Sequence, residues 1–342
     1  MAQIGAVQSS GVARHGGAKA RLEAFLPPVV GGLVLLVALV GLIGTAIRDP
    51  HPHDIPVGMV GPAPAVQQMS TAFGTAAPGA FLFTSYASEA DARSALDSRS
   101  VDGVLVLGGP SPRLIVAGAA GDASAGVITA AFTNAFKAQG VTLAVETVHP
   151  FSSGDAHGLI LFFVVVAVLV CSLISQALLT ATAPQAGFAE RLAVVVTFAV
   201  LAGITGMATA AWIAGDYGSG FWLAVALAAL GSAAIGAMVA GLARILGPAG
   251  IGLTGLFVVL LGLVTSGGPV GSQLLPDFYR SLAPWMPAGP LYSALRGALY
   301  FDGAGIGRPI AVLSAWLVAG VALMFIGEMI ARRRASVVVA AA

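Results

Sequence analysis

The chain has 342 residues, of which 57% are hydrophobic and only 9% are charged, and its formal net charge is +1. Soluble domains carry about 25% charged residues. This composition therefore excludes an ordinary soluble globular protein and indicates an integral membrane protein.

Six apolar stretches are predicted to cross the membrane. A bilayer core about 30 Å thick requires roughly 20 helical residues, because an unpaired backbone group in hydrocarbon is costly. The predicted spans are residues 28–47, 159–179, 192–214, 221–243, 251–265 and 310–330. The first follows basic residues, as a signal peptide would. Since the apolar core of a signal peptide has only about 7–15 residues, we expect an uncleaved anchor.

The positions of Arg and Lys predict the orientation of the chain, because cytoplasmic loops are enriched in both. Arg191, Arg244 and residues 332–334 fall on the same side as the basic N-terminal tail if there are six spans. Both termini are then cytoplasmic, and residues 48–156 and 266–308 lie outside the cell.

The sequence pattern of residues 48–156 predicts a small α+β domain. Runs rich in β-branched or aromatic residues, bounded by Gly, Pro or Asp, predict strands at 55–61, 80–86, 101–108, 113–118 and 141–148. Ser88 and Asp91 are spaced as a helix-capping box, and residues 127–136 carry one apolar helical face.

The fold predicted is an α-helical polytopic membrane protein with six transmembrane helices and an extracytoplasmic α+β domain inserted between helices 1 and 2. Its parts are a cytoplasmic tail (1–27), the first helix (28–47), the inserted domain (48–156), a five-helix transmembrane domain (157–331) and a cytoplasmic tail (332–342). Re-entrant or interfacial helices are expected at 266–303.

Packing within the membrane is predicted from small residues. Ala202, Gly206 and Ala210, and likewise Ser232, Gly236 and Ala240, recur every four residues, a spacing that lets helices approach closely. The single cysteine, Cys171, lies in the second span and is expected to be buried as a small apolar residue. The helix interiors are nearly free of ionisable residues, which disfavours a proton-coupled transporter.

Residues 266–301, "SGGPVGSQLLPDFYRSLAPWMPAGPLYSALRGALYF", are rich in Gly, Pro and aromatic residues. Leu291, Leu295 and Leu299 form an apolar helical stripe. Two interpretations stay open for the polar and aromatic residues: an aromatic belt with arginines reaching lipid head groups, or an outer gate that caps an exit path. The residues concerned are Asp277, Tyr279, Arg280, Trp285, Tyr292, Arg296 and Tyr300.

This segment resembles the C-terminal signature of ABC type-2 exporter permeases, most closely their phage-infection-protein-like branch. The matching features are the turn at 266–269, the Leu-Pro-acidic-aromatic step at 275–278, the Pro-bounded aromatic stretch at 284–287 and the Leu-Arg pair at 295–296. The order of one helix, an outside domain and five helices is also similar to that family.

The resemblance implies a permease subunit that exports an amphipathic or lipidic substrate, working as a homo- or heterodimer among membrane lipids. The composition, rich in Ala, Gly and Val, fits a bacterial plasma membrane. The resemblance implies a separate P-loop ATPase, since this chain contains no G-x-x-x-x-G-K-[ST] loop. It also implies that Phe188, Glu190 and Arg191 contact that ATPase, and the alternative is a solvated loop. We expect no enzymatic activity, no cofactor, no metal site and no nucleic-acid partner.

A second function stays open at this stage. The chain could be a stand-alone envelope protein whose extracytoplasmic domain binds a cell-surface partner, with the helices as its platform.

Overall fold

The computed structural model describes residues 10–48, 50–109 and 111–341. The backbone divides into two units, Met1–Thr45 and Ala46–Ala342. Helix α1, Ser10–Ile47, makes up the described part of the first unit. Residues 10–27, which were predicted as the cytoplasmic tail, are helical and continuous with the apolar run. Residues 1–9 of the predicted tail lie outside the described residues.

Residues 55–148, called here the sheet segment, hold a five-stranded sheet. Its strands are β1 (Ile55–Val60), β2 (Phe81–Tyr86), β3 (Gly103–Val106), β4 (Arg113–Ala117) and β5 (Ala144–Val148). Each of the five predicted strands is confirmed to within a few residues. The order is β2-β1-β3-β4-β5; β3 and β4 are antiparallel and the other pairs are parallel.

Three helices cover the two faces of this sheet: α2 (Ala63–Ala76), α3 (Glu89–Asp97) and α4 (Asp122–Ala138). Phe73 of α2 and Phe132 of α4 are buried on one face, while Leu96 of α3 is buried on the other. The predicted cap of α3 is present, because the Asp91 amide donates to the Ser88 hydroxyl over 3.1 Å.

The remaining helices begin with α5 (Leu159–Thr182), α6 (Phe188–Ala214) and α7 (Phe221–Leu246). A further apolar helical stretch follows, the fifth when α1 is counted. It consists of α8 (Pro248–Leu253), a π-helical part (Thr254–Leu260) and α9 (Leu261–Thr265). The chain then forms two short helices, α10 (Asp277–Leu282) and α11 (Ala288–Tyr300), before the long α12 (Gly307–Ala341).

Six helical stretches in the described residues have the length and composition to cross a membrane, as predicted. They are Val29–Ile47, Leu159–Thr182, Phe188–Ala214, Gly218–Leu246, Pro248–Thr265 and Gly307–Arg333. The chain is therefore a helical membrane protein with several spans.

Helix α7 is the most buried of these spans, and its neighbours pack against it through small residues. A Cβ atom added at Gly203 of α6 would lie 2.6 Å from the Val225 carbonyl oxygen, so only glycine allows this approach. The predicted contact residue Gly206 has looser surroundings, with its nearest neighbour, Val164, 3.6 Å away. The expectation for Cys171 was also wrong: it lies on an exposed face of α5.

Residues 266–306, called here the α9–α12 segment, join the helices to the sheet. Leu291 and Leu295 of α11 are fully buried among α5 and α7, as their stripe predicted. At the other side, Leu274 completes the core beneath α2 and α4, and Phe301 completes the core beneath α3. The sheet segment and the ends of the helices thus share one continuous packing.

Candidate functional site

A cavity of about 460 Å³ lies between the sheet segment and the α9–α12 segment. Its volume is in the range of about 300–1,000 Å³ usual for small-molecule sites. Ser266 and Pro309 also line it, so it lies where α9 ends and α12 begins. We call it the arginine pocket after its charged lining residues: Arg99, Asp102, Arg280, Arg296 and Arg308.

Arg99 reaches into the pocket from the turn after α3. Its backbone is left-handed, with φ at 61°, a conformation that non-glycine residues adopt at some cost. The side chain donates from Nη1 to the Ser293 carbonyl and from Nη2 to the Ser293 hydroxyl, both over 3.0 Å. It also lies 5.2 Å from the ring centre of Phe301. These contacts fix the guanidinium against α11.

Arg296 enters from α11, one helical turn after Tyr292. Its guanidinium lies over the Tyr292 ring, 4.7 Å from the ring centre, and donates to the Ala120 carbonyl of the sheet segment. The Tyr292 hydroxyl in turn donates to the Gly158 carbonyl over 3.1 Å. Nε of Arg296 is buried and has no acceptor among the described residues.

Asp102 supplies the carboxylate of the pocket at the start of β3. Its Oδ2 accepts from Nε2 of Gln273 over 3.2 Å, and Oε1 of the same Gln273 accepts from Ser124 over 3.1 Å. Burial raises the pKa of the Asp102 carboxyl, against the opposing effect of the nearby Arg296 and Arg99. Burial, together with repulsion from Arg296, lowers the pKa of Arg99 to about 10, so Arg99 stays protonated at neutral pH.

The two remaining arginines of the pocket differ in their partners. Arg280 pairs with Asp54 over 3.1 Å and with Asp277 over 2.8 Å, so its charge is balanced. Arg308 is exposed and lies over the Trp285 ring, 5.5 Å from its centre. Across the described residues, no carboxylate oxygen lies within 4.0 Å of the guanidinium of three pocket residues: Arg99, Arg296 and Arg308.

The structure brings together some of the residues predicted for the outer gate. Arg280, Tyr292 and Arg296 line the pocket, and Asp277 and Trp285 contact its arginines. Tyr279 and Tyr300 do not line it: the first is buried beside Phe278, and the second packs against Phe151.

The aromatic-belt interpretation does not hold for most of these residues. Tyr279 and Tyr292 are 6% and 2% exposed, and Arg296 bonds to the sheet segment, so none of the three extends from the protein surface as a belt residue does. Trp285, which is 60% exposed, is the belt residue whose exposure agrees with the prediction. Phe278, equally exposed, was not singled out.

Sequence reasoning missed Arg99, Asp102 and Arg308 as pocket residues. Arg99 and Ser293 are 194 positions apart in the chain, and no local sequence pattern predicts their hydrogen bond. The one available signal was charge: Arg280 and Arg296 lie in a segment assigned to the outside, where the orientation rule disfavours short-loop arginines.

The residues expected to contact an ATPase lie at the opposite ends of the helices, at the short connection between α5 and α6. Arg191 is 3% exposed and donates to the Ala186 carbonyl over 3.0 Å. It therefore stabilises the connection between α5 and α6, and its charge does not lie on the protein surface. Glu190 is exposed, and its carboxylate accepts from the Gly187 amide over 3.0 Å. Phe188 packs edge-to-face against Phe325 of α12.

Comparisons with family models, with curated proteins and with solved structures each found no match to this chain. Function therefore has to be argued from the residues and geometry of the chain itself.

Proposed function

We propose that the chain is the membrane-spanning subunit of an ATP-driven exporter that moves an amphipathic or lipidic molecule outward. The observation that carries this proposal is the arginine pocket: the segment that resembles an exporter signature forms one wall of a ligand-sized cavity at the ends of the spanning helices. A binding site at that level is what a carrier of amphipathic molecules needs.

The energy source in this proposal is a separate ATPase. Carboxylates and histidines in the membrane interior, the usual elements of proton coupling, do not occur in the middle of the five spans from α5 to α12. The chain also has no phosphate-binding P-loop of its own. The ATPase binds at the face that carries the α5–α6 connection and Glu190.

The orientation in this proposal places the sheet segment outside the cell, with both termini in the cytoplasm of a bacterium. Arg244, Glu328 and Arg332 lie at the same helix ends as the α5–α6 connection, and Glu328 pairs with both arginines, at 3.2 Å and 2.9 Å. Two such subunits form the transporter.

Pull-down of the P-loop subunit tests the proposal with a matched pair of variants. Glu190 and Asp216 are both exposed carboxylates that accept one backbone amide, at opposite ends of α6. Glu190→Lys reverses the charge on the proposed ATPase face and is expected to reduce recovery of the ATPase from detergent extracts at least about tenfold, the loss typical of a disrupted interface charge.

Asp216→Lys makes the same change at the other end and is the control. Equal recovery of a P-loop protein with both variants contradicts the proposed face. Recovery of an envelope protein and no P-loop subunit by the unmodified chain favours instead the stand-alone surface protein.

A further inference from the structure

We propose that the arginine pocket binds an oxyanion of the phosphate or carboxylate type, held between Arg99, Arg296 and Arg308. The oxyanion belongs either to the head group of an amphipathic molecule or to a free anion. This inference deepens the proposed function, and it rests on that function only for the role of the bound molecule, not for its binding.

Charge is the first argument. Within the described residues, three guanidinium groups around the pocket lack a carboxylate partner, and only Asp102 offsets them inside it. Burial and mutual repulsion disfavour such a cluster of cations, as the lowered pKa of Arg99 indicates. A bound anion removes both penalties, because it pairs with the arginines in a partly desolvated site.

Geometry is the second argument. Ser293 holds the guanidinium of Arg99, and the Tyr292 ring and the Ala120 carbonyl hold that of Arg296. The buried Nε of Arg296 still has a proton to donate and no acceptor in the described chain. Both guanidinium groups line the pocket in fixed positions, where an oxyanion can bind between them.

Arginine is also the residue whose planar fork fits two oxygens of a phosphate or carboxylate at once. Arg308 adds a third guanidinium at the rim, where its only described contact is the face of Trp285. The pocket therefore combines two positioned guanidinium groups with one that is free to move toward a ligand.

Location favours the head group of an amphipathic molecule over a free anion. The pocket lies at the ends of α9 and α12, the level at which polar heads of membrane molecules lie. Trp285 at its rim is 60% exposed, and tryptophan is enriched at this level of membranes. Below it, the same two spans expose large apolar side chains such as Phe257 and Val318.

The test is a calorimetric titration of the purified full-length protein in neutral detergent. Short-chain phosphatidylglycerol is the anionic probe, short-chain phosphatidylcholine the zwitterionic one, and inorganic phosphate the free anion. We expect phosphatidylglycerol to bind at least about tenfold more tightly than phosphatidylcholine, because both carry the phosphodiester oxyanion but the arginines repel the choline ammonium of phosphatidylcholine.

Three glutamine variants locate the effect. Arg308→Gln and Arg296→Gln are each expected to weaken binding of phosphatidylglycerol about tenfold. Arg308→Gln breaks no hydrogen bond or ion pair of the described chain, so it stays informative if Arg296→Gln fails to fold. Arg113→Gln removes the same charge from the sheet surface, where Arg113 pairs with Glu89, and is expected to leave binding unchanged.

The titrations distinguish a head-group site from a free-anion site, and both from the absence of a site. Tight phosphatidylglycerol binding with weak phosphate binding supports the site and assigns it to a head group; equal binding of phosphate supports it and assigns a free anion. Equal binding of both lipids that the pocket variants weaken supports an oxyanion site that tolerates the choline group. Binding of neither lipid nor phosphate, or binding that neither pocket variant changes, overturns the inference. Failure to find an ATPase overturns the exporter proposal and leaves this binding result unaffected.

Discussion

At the scale of single residues, Arg99 connects two distant parts of the chain. Its left-handed backbone costs about 1–2 kcal/mol, and its side chain bonds to Ser293 of α11. Strained residues are retained where the surrounding structure holds them, and they cluster at functional sites. In this chain the left-handed residue is Arg99, whose guanidinium lies in a cavity that Arg296 also lines.

The pocket carboxylate gives a prediction about pH. Because burial raises the pKa of Asp102, lowering the pH toward that value protonates it and removes the one negative charge that competes with a bound anion. We expect the affinity for phosphatidylglycerol to rise as the pH falls, and Asp102→Asn to bind more tightly than the unmodified protein at neutral pH and to lose most of this dependence.

Calorimetric titrations at several pH values check this prediction, since the phosphodiester probe keeps one charge throughout. Arg99 faces Asp102 and, with a pKa of about 10, stays protonated throughout. Parallel pH profiles for the variant and the unmodified protein would contradict the role of Asp102.

At the scale of elements, the contact between α6 and α7 depends on one glycine. Gly203→Ala places a methyl group 2.6 Å from the Val225 carbonyl oxygen. Because this oxygen belongs to the backbone, no side-chain rotation can relieve the clash. Overpacking of this kind costs about 1–3 kcal/mol, so we expect a lower melting temperature in detergent. Thermal unfolding followed by circular dichroism measures it.

Gly206→Ala is the control for that prediction, because it lies on the same helix and meets only the Val164 and Val168 side chains, at 3.6 and 3.8 Å. We expect its melting temperature to be unchanged or slightly raised, given the better helix propensity of alanine. Equal destabilisation by the two substitutions would show that the α6–α7 contact does not set the stability.

The elements themselves were largely predictable. Length and apolarity give the six spans, and β-like runs between Gly, Pro and Asp give the five strands, because both signals are local. Burial of Arg191 and exposure of Cys171 were not predictable, since each depends on which helix face meets a neighbour. Part of the pocket was predictable, because its α10 and α11 residues lie in one segment of unusual composition. Arg99 and Asp102 are far from that segment in sequence, and only the tertiary fold brings them to the pocket.

At the scale of the whole molecule, orientation is open to a direct test, because the chain has a single cysteine. In a Cys171→Ser background, Gln185→Cys marks the α5–α6 connection and Asp216→Cys marks the connection at the other end of α6. We expect a membrane-impermeant thiol reagent to label the second variant in intact cells and the first only after permeabilisation. The reverse pattern would place the sheet segment and the arginine pocket in the cytoplasm.

ATP hydrolysis by the native assembly is the most direct test of the proposal that this chain works with an ATPase. The tagged chain is purified from its own membranes in mild detergent, and phosphate release is measured with and without an anionic amphiphile. We expect a P-loop subunit to co-purify, its ATP hydrolysis to rise when the amphiphile is added, and this rise to be absent from the Arg296→Gln preparation. A preparation that contains the folded chain but no P-loop protein and no ATP hydrolysis would contradict it.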